Sequence, residues 1–467
     1  MIKGLPAYAD YRPSGIPWLG YDIPTHWTRR KLRSLFARQG SGTTPSGNHH
    51  YNGPVCWVMS GDLNDGILSA TKRTVKTSTP LNVPSLRVYP TKSLVVAMYG
   101  ATIGRASILS VPACTNQACA AFADPNDDCN VKYVHHVVVT ARSYLVQQAY
   151  GGGQPNINAH VLCSLPVPLP PPDEQAAIVR FLDWATRRVD RAIRAKRRLV
   201  ALLTEQKQAI IHRAVTQGLD PSVPMKASGI PWLGEIPAHW ELRPARTLVR
   251  IRTELVGRRH LAYRLLSLTK QGVIVRDLTG MRGKFSADMS TFQTVRPADF
   301  VLCLFDVPET PRTVGRSRHE GMITGAYTVC EPIGSCNGAY FEAYLIALDD
   351  RKLLAPLYSG LRNTIPKERF LGMKVPFPPL DEQVAIVTHV GEATAGLDKT
   401  IERTQRQIGL LREYRARLVS DVVTGKLDVR AFAETLPDEA PDDIEAIEAD
   451  VDEDADDDET GDGADEG

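Results

Sequence analysis

The chain has 467 residues, with 55 Lys and Arg against 53 Asp and Glu, a formal net charge of +2 and 43% hydrophobic residues. This length allows two or three domains with hydrophobic cores. No apolar run approaches the roughly 18 residues of a transmembrane helix, and residues 1–11 lack the apolar centre of a secretory signal. The eight cysteines contain no Cys-x-x-Cys pair. We therefore expect a cytoplasmic protein without disulfides.

The near-neutral net charge conceals a strong asymmetry along the chain. Residues 434–467 contain 18 acidic residues and no Lys or Arg, so the first 433 residues alone carry a net charge of +20. A basic body favours a polyanionic partner, with nucleic acid the first candidate. The acidic tail, residues 431–467, is expected to be disordered. Its composition leaves two roles open, competition for the basic surface or an aid to solubility.

The first element in chain order is a motif that occurs twice. Ser14–Gly20 reads S-G-I-P-W-L-G, and Ser228–Gly234 repeats all seven letters. Each is followed by I-P-x-H-W, at Ile23–Trp27 and at Ile236–Trp240. Chance identity at this level is negligible, so the sequence indicates an internal duplication.

A second repeated motif begins each of two predicted helices. Asp173–Val179 reads D-E-Q-A-A-I-V, and Asp381–Val387, which lies 208 residues later, reads D-E-Q-V-A-I-V. Behind each motif, apolar residues recur every three or four positions, which predicts amphipathic helices of about 45 residues, or roughly 65–70 Å. A stripe of this length needs a partner, so we predict an antiparallel intramolecular coiled coil. The alternative is that each helix packs on its own globular region.

The regions between the two motifs differ in sequence and are predicted to be rich in strands. β-Branched and aromatic runs at Thr91–Tyr99, Val131–Thr140 and Thr294–Leu304 are bounded by turn residues. A repeated frame with different inserts indicates that each insert recognises something different.

Catalytic motifs are scarce in the sequence. Gly100–Arg105 lacks the spacing and the lysine of a phosphate-binding loop. The pairs His49-His50 and His135-His136 are adjacent rather than spaced as metal ligands, so we expect no metal site. Nothing in the sequence pairs carboxylates for nuclease chemistry. These observations favour a binding protein.

Loop-like clusters rich in Asn, Gln and Arg offer donors and acceptors that can read base edges. Arg187–Arg198 adds seven cations in twelve residues, which either form a solvated helix face or contact phosphates or an acidic partner. The candidate DNA-binding residues are Ser60, Asp62, Thr102, Arg105, Asn116, Gln117, Gln154, Asn156, Asn158, Ser267, Thr269, Lys270, Arg316 and Arg318. The candidate partner and spacer-helix residues are Asp173, Glu174, Gln175, Arg187, Arg191, Asp381, Glu382 and Gln383.

Together, the twin S-G-I-P-W-L-G…I-P-x-H-W motifs, the twin P-P-x-D-E-Q-x-A-I-V motifs and the Thr115–Gln117 loop resemble the specificity subunit of Type I restriction–modification systems. The resemblance runs from about Ser14 to Arg430. It implies an α+β fold, with two mixed α/β target-recognition domains joined by two long antiparallel helices in a pseudo-twofold arrangement. The implied boundaries are 1–165 and 221–375 for the recognition domains, 166–220 and 376–430 for the helices, and 431–467 for the tail.

The resemblance also implies a function. Each recognition domain reads one half of a split, asymmetric DNA target, and the subunit itself is not an enzyme. The implied partners are double-stranded DNA, two methyltransferase subunits that bind S-adenosylmethionine, and restriction subunits that bind ATP and Mg²⁺.

The sequence departs from the family pattern at three places. The second insert has Glu320–Tyr327 (E-G-M-I-T-G-A-Y) in place of an Asn-Gln loop, Ser267–Thr269 takes the place of Ser60–Asp62, and the acidic tail is additional. Two alternative functions are a self-contained DNA-modifying enzyme and a coiled-coil scaffold with no DNA role.

Overall fold

The computed structural model describes residues 4–151, 155–276 and 289–437, and these form two compact units. Unit 1 comprises the chain up to Arg194 and again from Gly409, and unit 2 comprises Ala195–Ile408. Both divisions fall inside the predicted spacer helices, so each unit contains part of each helix. Gln154 and the acidic tail from residue 438 onward lie outside the described residues.

Unit 1 contains strands on two main sheets. One sheet has the order β4-β11-β8-β9-β6, in which only the β6–β9 pair is parallel, and the other has the order β10-β5-β7 with β10 parallel to β5. The small pairs β1–β2 and β3–β12 are antiparallel. The strands are β1 Tyr11–Arg12, β2 Ile23–Pro24, β3 Thr28–Lys31, β4 Phe36–Ser41, β5 Tyr51–Val58, β6 Ile67–Leu68, β7 Thr74–Val75, β8 Leu94–Ala97, β9 Ala106–Leu109, β10 Ala113–Thr115, β11 Cys119–Pro125 and β12 Pro166–Leu169. The shorter helices are α1 Thr79–Asn82, α2 Val131–Thr140, α3 Arg142–Gln147 and α4 Ala159–Cys163.

Unit 2 is built on a four-stranded antiparallel sheet, β16-β23-β20-β21, with the antiparallel pairs β13–β14, β15–β24, β17–β18 and β19–β22. The strands are β13 Met225–Ala227, β14 Glu235–Pro237, β15 Glu241–Pro244, β16 Val249–Ile251, β17 Leu266–Thr269, β18 Gly272–Val275, β19 Gln293–Val295, β20 Phe300–Leu302, β21 Val314–Arg316, β22 Gly321–Ile323, β23 Thr328–Pro332 and β24 Lys374–Phe377. The shorter helices are α6 Gly338–Asp350 and α7 Lys367–Gly372. The pairs β3–β12 in unit 1 and β15–β24 in unit 2 each join the strand after I-P-x-H-W to the proline-rich strand, so the duplicated sequence folds into a duplicated frame.

The two long helices confirm the predicted periodicity. Helix α5 spans Pro172–Gln217, and α8 spans Leu380–Val423. In unit 2, Lys196 Nζ donates to Gln407 Oε1 (2.7 Å), and Lys207 Nζ lies 2.5 Å from Asp398 Oδ1. The partner numbers fall as the α5 numbers rise, so the helices run antiparallel in this unit.

The helix ends also belong to the hydrophobic cores, but each helix contributes to both cores rather than to that of its own region alone, so the alternative packing is only partly right. In unit 1, Phe181 of α5 and Val422 of α8 are fully buried in one core with Trp27 and Tyr133. In unit 2, the corresponding core contains Val215 and Ile386, together with Trp240 and Tyr340. Each unit is therefore stabilised by the start of one long helix and the end of the other.

The predicted strand at Val131–Thr140 is wrong, because this segment is helix α2. Its β-branched residues suggested a strand, but Asn130 accepts hydrogen bonds from the backbone N–H groups of Lys132 and Tyr133 and caps the helix. The buried apolar residues recur with helical spacing; they are Tyr133, Val134, Val137 and Val138. The other two predicted runs contain strands: Thr91–Tyr99 contains β8, and Thr294–Leu304 contains most of β19 and all of β20.

The predicted start of the acidic tail is also corrected by the structure. Arg430–Glu434 forms helix α9, and Ala433 and Leu436 are buried in unit 1. Phe432 packs edge-on against Phe181 with ring centroids 5.5 Å apart. These apolar residues stand just before the dense acidic run, which places residues 431–437 in the folded body.

Candidate nucleic-acid interface

The two repeated motifs contact each other in both units. In unit 1, the carboxylate of Glu174 accepts hydrogen bonds from Trp27 Nε1 (3.0 Å) and Tyr8 Oη (2.7 Å), and it lies 2.7 Å from His26 Nε2. In unit 2, Glu382 accepts from Trp240 Nε1 (3.0 Å) and lies 2.8 Å from His239 Nε2. The glutamates predicted to face a partner therefore hold the helix start to the I-P-x-H-W motif.

The glutamines of the same motifs are buried in the frame as well. Gln175 Oε1 accepts from the backbone N–H of Asn130 (2.9 Å), and its Nε2 donates to the Pro170 carbonyl (2.9 Å). Gln383 Oε1 accepts from the backbone N–H of Asn337 (2.8 Å) in the same way. Gln175 thus fixes the N-cap residue of α2, and Gln383 fixes that of α6.

A buried tyrosine completes the frame, and sequence reasoning missed it. In unit 1, Tyr133 Oη lies 2.7 Å from the Pro168 carbonyl and 3.0 Å from the Val423 carbonyl at the end of α8. In unit 2, Tyr340 Oη makes the equivalent contacts with Pro376 (3.0 Å) and Val215 (3.2 Å). Burial raises the pKa of both hydroxyls, which keeps them protonated. The shared pattern N-x-x-Y, 207 residues apart, was the available signal.

The remaining predicted helix residues lie toward solvent. Asp173 and Asp381 are exposed at the helix starts, where a carboxylate is favoured by the helix dipole. Arg191 is exposed and Arg187 half-buried along α5. Unlike the buried Glu174, Gln175 and Gln383, these four residues are accessible to a partner.

The predicted residues of the first insert come together in one set of loops, which we call the unit 1 loop cluster: residues 42–44, 59–62, 98–105, 115–118 and 155–158. Asn116 N–H donates to the Val58 carbonyl (2.9 Å), which places the 115–118 loop beside the Ser60–Asp62 turn. Met98 N–H donates to the Ala118 carbonyl (2.8 Å), which joins the 98–105 turn to the same loop. Ile157 N–H donates to the Met98 carbonyl (2.9 Å) and adds the last segment.

One glycine permits the close approach of two of these segments. A Cβ at Gly42 would lie 1.8 Å from the Thr115 carbonyl oxygen, so no side chain is tolerated there. The Gly42 N–H donates to Thr115 Oγ1 (3.0 Å), and Thr44 Oγ1 donates to Gln117 Oε1 (2.8 Å). The 42–44 segment therefore supports the Asn116-Gln117 loop.

Several of the predicted DNA-binding side chains form hydrogen bonds with the backbone of their own loops. Asp62 accepts from the Met59 N–H (2.8 Å), Thr102 Oγ1 donates to the Tyr99 carbonyl (2.8 Å), and Asn158 caps α4 by accepting from the Val161 N–H (2.9 Å). Asn116 likewise accepts from the Ala118 N–H (3.1 Å).

Other side chains of the cluster are more exposed. Arg105 is exposed, Gln117 is exposed while its Oε1 accepts from Thr44 Oγ1, and Ser60 is half-buried. Asn156 forms backbone bridges with Tyr99 and Tyr150, so its place is set by the loop. Gln117 and Arg105 are therefore the clearest candidates for contact with bases and phosphates.

A basic strip beside the loop cluster was missed. Arg73 places its guanidinium over the Tyr51 ring (4.1 Å) and near the Trp57 ring (5.6 Å), a cation–π contact that orients it. Lys72 and Lys76 are exposed on either side. The Lys72 N–H donates to Asp62 Oδ1 (3.2 Å), which ties the strip to the Ser60–Asp62 turn.

In unit 2, the predicted residues lie on two neighbouring elements. Thr269 Oγ1 donates to the Gly272 carbonyl (3.1 Å) and closes the β17–β18 hairpin, on which Ser267 also lies and whose turn exposes Lys270. The ideal Cβ position of Gly315 is 2.8 Å from Leu268 Cδ1, so β21 lies against this hairpin. After β21, Arg318 is exposed. Arg316 is held by Glu342, with 3.4 Å between Nε and Oε2.

In the part of the chain that the structure describes, no group of three or more His, Cys, Asp or Glu is placed to hold a metal ion. Burial, followed by the neighbouring His135 and Lys132, lowers the pKa of His136 to about 3, so this histidine is neutral near pH 7. Burial raises the pKa of the Cys114 and Cys119 thiols to about 12, which makes them unreactive apolar groups. None of the eight cysteines is joined to another in a disulfide.

Comparison with known proteins identifies a family that part of the chain matches. Residues 24–197 match the family described as "Type I restriction modification DNA specificity domain". The chain is 26% identical over 150 residues to the Escherichia coli Type I restriction enzyme EcoR124I/EcoR124II specificity subunit. This alignment covers 30% of this chain and 37% of that protein. It is 26% identical over 121 residues to the Methanocaldococcus jannaschii Type I restriction enzyme MjaVIII specificity subunit, covering 26% of this chain and 27% of that one. The alignments thus span about a third of these relatives.

A solved structure shows the same fold over a longer stretch. A chain from a study of complex assembly and conformational transition of the type I R-M system superposes with a TM-score of 0.60 and 14% identity, over 87% of this chain and 100% of that one. At this identity, the match supports the mixed α+β fold with long helices. Among the described residues, none of the helices is both long and apolar enough to span a membrane.

Proposed function

We propose that the chain is the specificity subunit of a Type I restriction–modification system, because residues 24–197 match the DNA specificity domain of that family and two specificity subunits are similar to it. Its own role is to bind a bipartite, asymmetric DNA target, one half through each unit. It catalyses no reaction itself and directs methylation and cleavage by partner subunits in the cytoplasm.

The observation that carries the proposal is one frame with two different inserts. The Glu–Trp–His contact, the buried glutamine and the bridging tyrosine recur in both units with near-equal geometry. The parts outside the frame differ, because unit 1 presents the Asn116-Gln117 loop and unit 2 presents the β17–β18 hairpin. Two different inserts held by the same frame are suited to binding an asymmetric DNA sequence in two halves.

The Lys and Arg residues of the folded chain supply affinity for DNA, and exposed side-chain amides supply sequence specificity. Salt-dependent attraction comes from phosphate contacts by Lys and Arg, whereas discrimination requires contacts with base edges. The strip of Lys72, Arg73 and Lys76 beside the exposed Gln117 supports this division in unit 1.

The partner subunits carry out methylation and cleavage. Two methyltransferase subunits would bind S-adenosylmethionine, and restriction subunits would bind ATP and Mg²⁺. Exposed Asp173, Asp381 and Arg191 on the long helices support a docking role for these helices.

We expect Gln117→Ala, assembled with methyltransferase subunits, to weaken binding to the cognate duplex by about 10- to 100-fold, because a good base contact contributes about 1–3 kcal/mol. Its affinity for a non-cognate duplex should be unchanged.

Arg105→Ala should weaken binding to the cognate and the non-cognate duplex equally and reduce the slope of the salt dependence by about one. Filter binding over a salt titration measures both effects.

The exposed Arg33, outside the unit 1 loop cluster, provides a matched control, since Arg33→Ala should change neither affinity. Binding with no salt slope would contradict the proposal and favour a scaffold. Turnover of DNA by the purified chain with Mg²⁺, ATP and S-adenosylmethionine would contradict its non-catalytic role.

A further inference from the structure

The described chain ends beside the first long helix of unit 1. The Phe432 ring of α9 lies 5.2 Å from the Trp184 ring of α5. Two residues after α9, the Leu436 carbonyl accepts a hydrogen bond from the Arg180 guanidinium. The remaining residues, 438–467, which we call the terminal acidic segment, therefore leave the fold next to Arg180.

The helix surface at this exit is rich in arginine. Arg180, Trp184 and Arg188 follow each other at four-residue spacing, so they lie on one face of α5. The Arg188 guanidinium stacks on the Trp184 ring at 5.0 Å. Together with this ring, the arginines of the unit 1 part of α5 form what we call the arginine face: Arg180, Arg187, Arg188, Arg191 and Arg194.

The acidic residues of the same helix stretch are engaged by cations from other elements. Asp183 lies 2.8 Å from Lys132 Nζ of α2, and Asp190 lies 2.5 Å from Arg415 Nη1 of α8. Residues 180–194 of α5 contain five Arg and two Asp, a net charge of +3. A polyanion would offset this positive charge.

The terminal acidic segment has the charge and the length to reach it. Its 30 residues contain 17 Asp and Glu and no Lys or Arg. Extended, 30 residues span up to about 100 Å, whereas the arginine face from position 180 to position 194 extends only about 20 Å along the helix. Covalent attachment at one end of this face raises the local concentration of carboxylates to the millimolar range.

We propose that the terminal acidic segment docks on the arginine face of its own unit and competes there with external polyanions. The docked segment occupies the cations that would hold phosphates or an acidic partner surface. It lowers non-specific attraction to DNA and yields to a ligand that binds more tightly. This proposal holds whether or not the chain has the function proposed above, because it concerns contacts within unit 1.

Carbodiimide cross-linking of the full-length chain tests the docking directly, since it joins a carboxylate to a lysine amine with loss of water. The arginine face contains no lysine, so Arg188→Lys and Arg191→Lys each introduce one reporter. We expect mass spectrometry to find the terminal acidic segment cross-linked at position 188 or 191 more than fivefold above the exposed Lys72 and Lys76. The preference should disappear at 0.5 M NaCl. Equal cross-linking at all lysines, or cross-links only between molecules, would overturn the proposal.

The competition is tested by removing the charge of the segment in the full-length chain. Replacing every Asp and Glu of residues 438–467 by Asn and Gln is expected to tighten binding to a random-sequence duplex about tenfold at 0.1 M NaCl. Adding Arg188→Glu, Arg191→Glu and Arg194→Glu should abolish that gain. An unchanged affinity in the neutralised variant, or a gain that survives the three reversals, would show that the segment does not act through this face.

Discussion

Glu174→Ala is expected to lower the free energy of unfolding of unit 1 by about 3–5 kcal/mol, the range for removing one partner of a buried charged network. The Glu174 side chain is 5% exposed and receives hydrogen bonds from Tyr8 and Trp27 beside His26. Without it, the Trp27 and Tyr8 donors stay buried without an acceptor. Hydrogen exchange by mass spectrometry reports the two units separately, which matters because a chain of two units need not unfold in one step.

The duplication provides a matched control for this effect. Glu382 occupies the same place in unit 2, but its side chain is 25% exposed and it is bonded to Trp240 and His239 without a tyrosine. Since water can replace part of these contacts, we expect Glu382→Ala to cost unit 2 only about 1–2 kcal/mol. Equal losses in both units, or protection unchanged in the Glu174 variant, would contradict the role given to the buried carboxylate.

Lengthening both long helices by four residues is expected to widen the gap in the DNA target by about two base pairs. Four helical residues add about 6 Å, and duplex DNA rises about 3.4 Å per base pair. The insertions belong after Arg194 in α5 and after Ile408 in α8, because the nearby Lys196–Gln407 contact places these points opposite each other in the antiparallel pair. Sequencing of modified bases in cells that express the partner subunits measures the gap.

Inserting the four residues into one helix alone is the control for this prediction. It would shift contacts such as Lys207–Asp398 out of register, so we expect a loss of stability and of modification. The double insertion restores the register. An unchanged gap in the double variant would show that the helices do not set the distance between half-sites.

The duplicated frame could be predicted because its contacts require particular letters in both copies. A buried indole N–H needs an acceptor, and Glu174 provides it for Trp27 as Glu382 does for Trp240. The repeats therefore marked which residues are constrained. The long helices were equally accessible, because an amphipathic period sustained over 44 to 46 residues has no competing interpretation.

The misassigned segments depended on tertiary context. Val131–Thr140 has a β-branched composition, and only the Asn130 cap with the buried face of α2 makes it helical. The order of residues 431–437 depends on Phe432 packing on Trp184, a contact between residues distant in sequence. The arginine stack of Arg73 on Tyr51 likewise required the β5–β7 pairing to be known.

The sequence predicted the candidate site as separate loops, and the structure shows that backbone hydrogen bonds bring these loops together. The hydrogen bond from Met98 to Ala118 joins segments whose sequences carry no mark of proximity. Conversely, Asp62 and Asn158 belong to the residue types that read bases, yet here they bond to the backbone of their own loops. Composition indicated which residue types mattered, and geometry separated the residues that shape the loops from those that face solvent.

If the two units recognise separate halves of one DNA target, exchanging the insert of one unit should change only its own half. We would replace residues 60–158 by the corresponding insert of another family member and sequence the modified bases in cells that supply the partner subunits. We expect a new sequence in one half-site, with the other half-site and the gap unchanged. A change in both half-sites, or modification at a continuous target without a gap, would show that the units do not recognise separate halves.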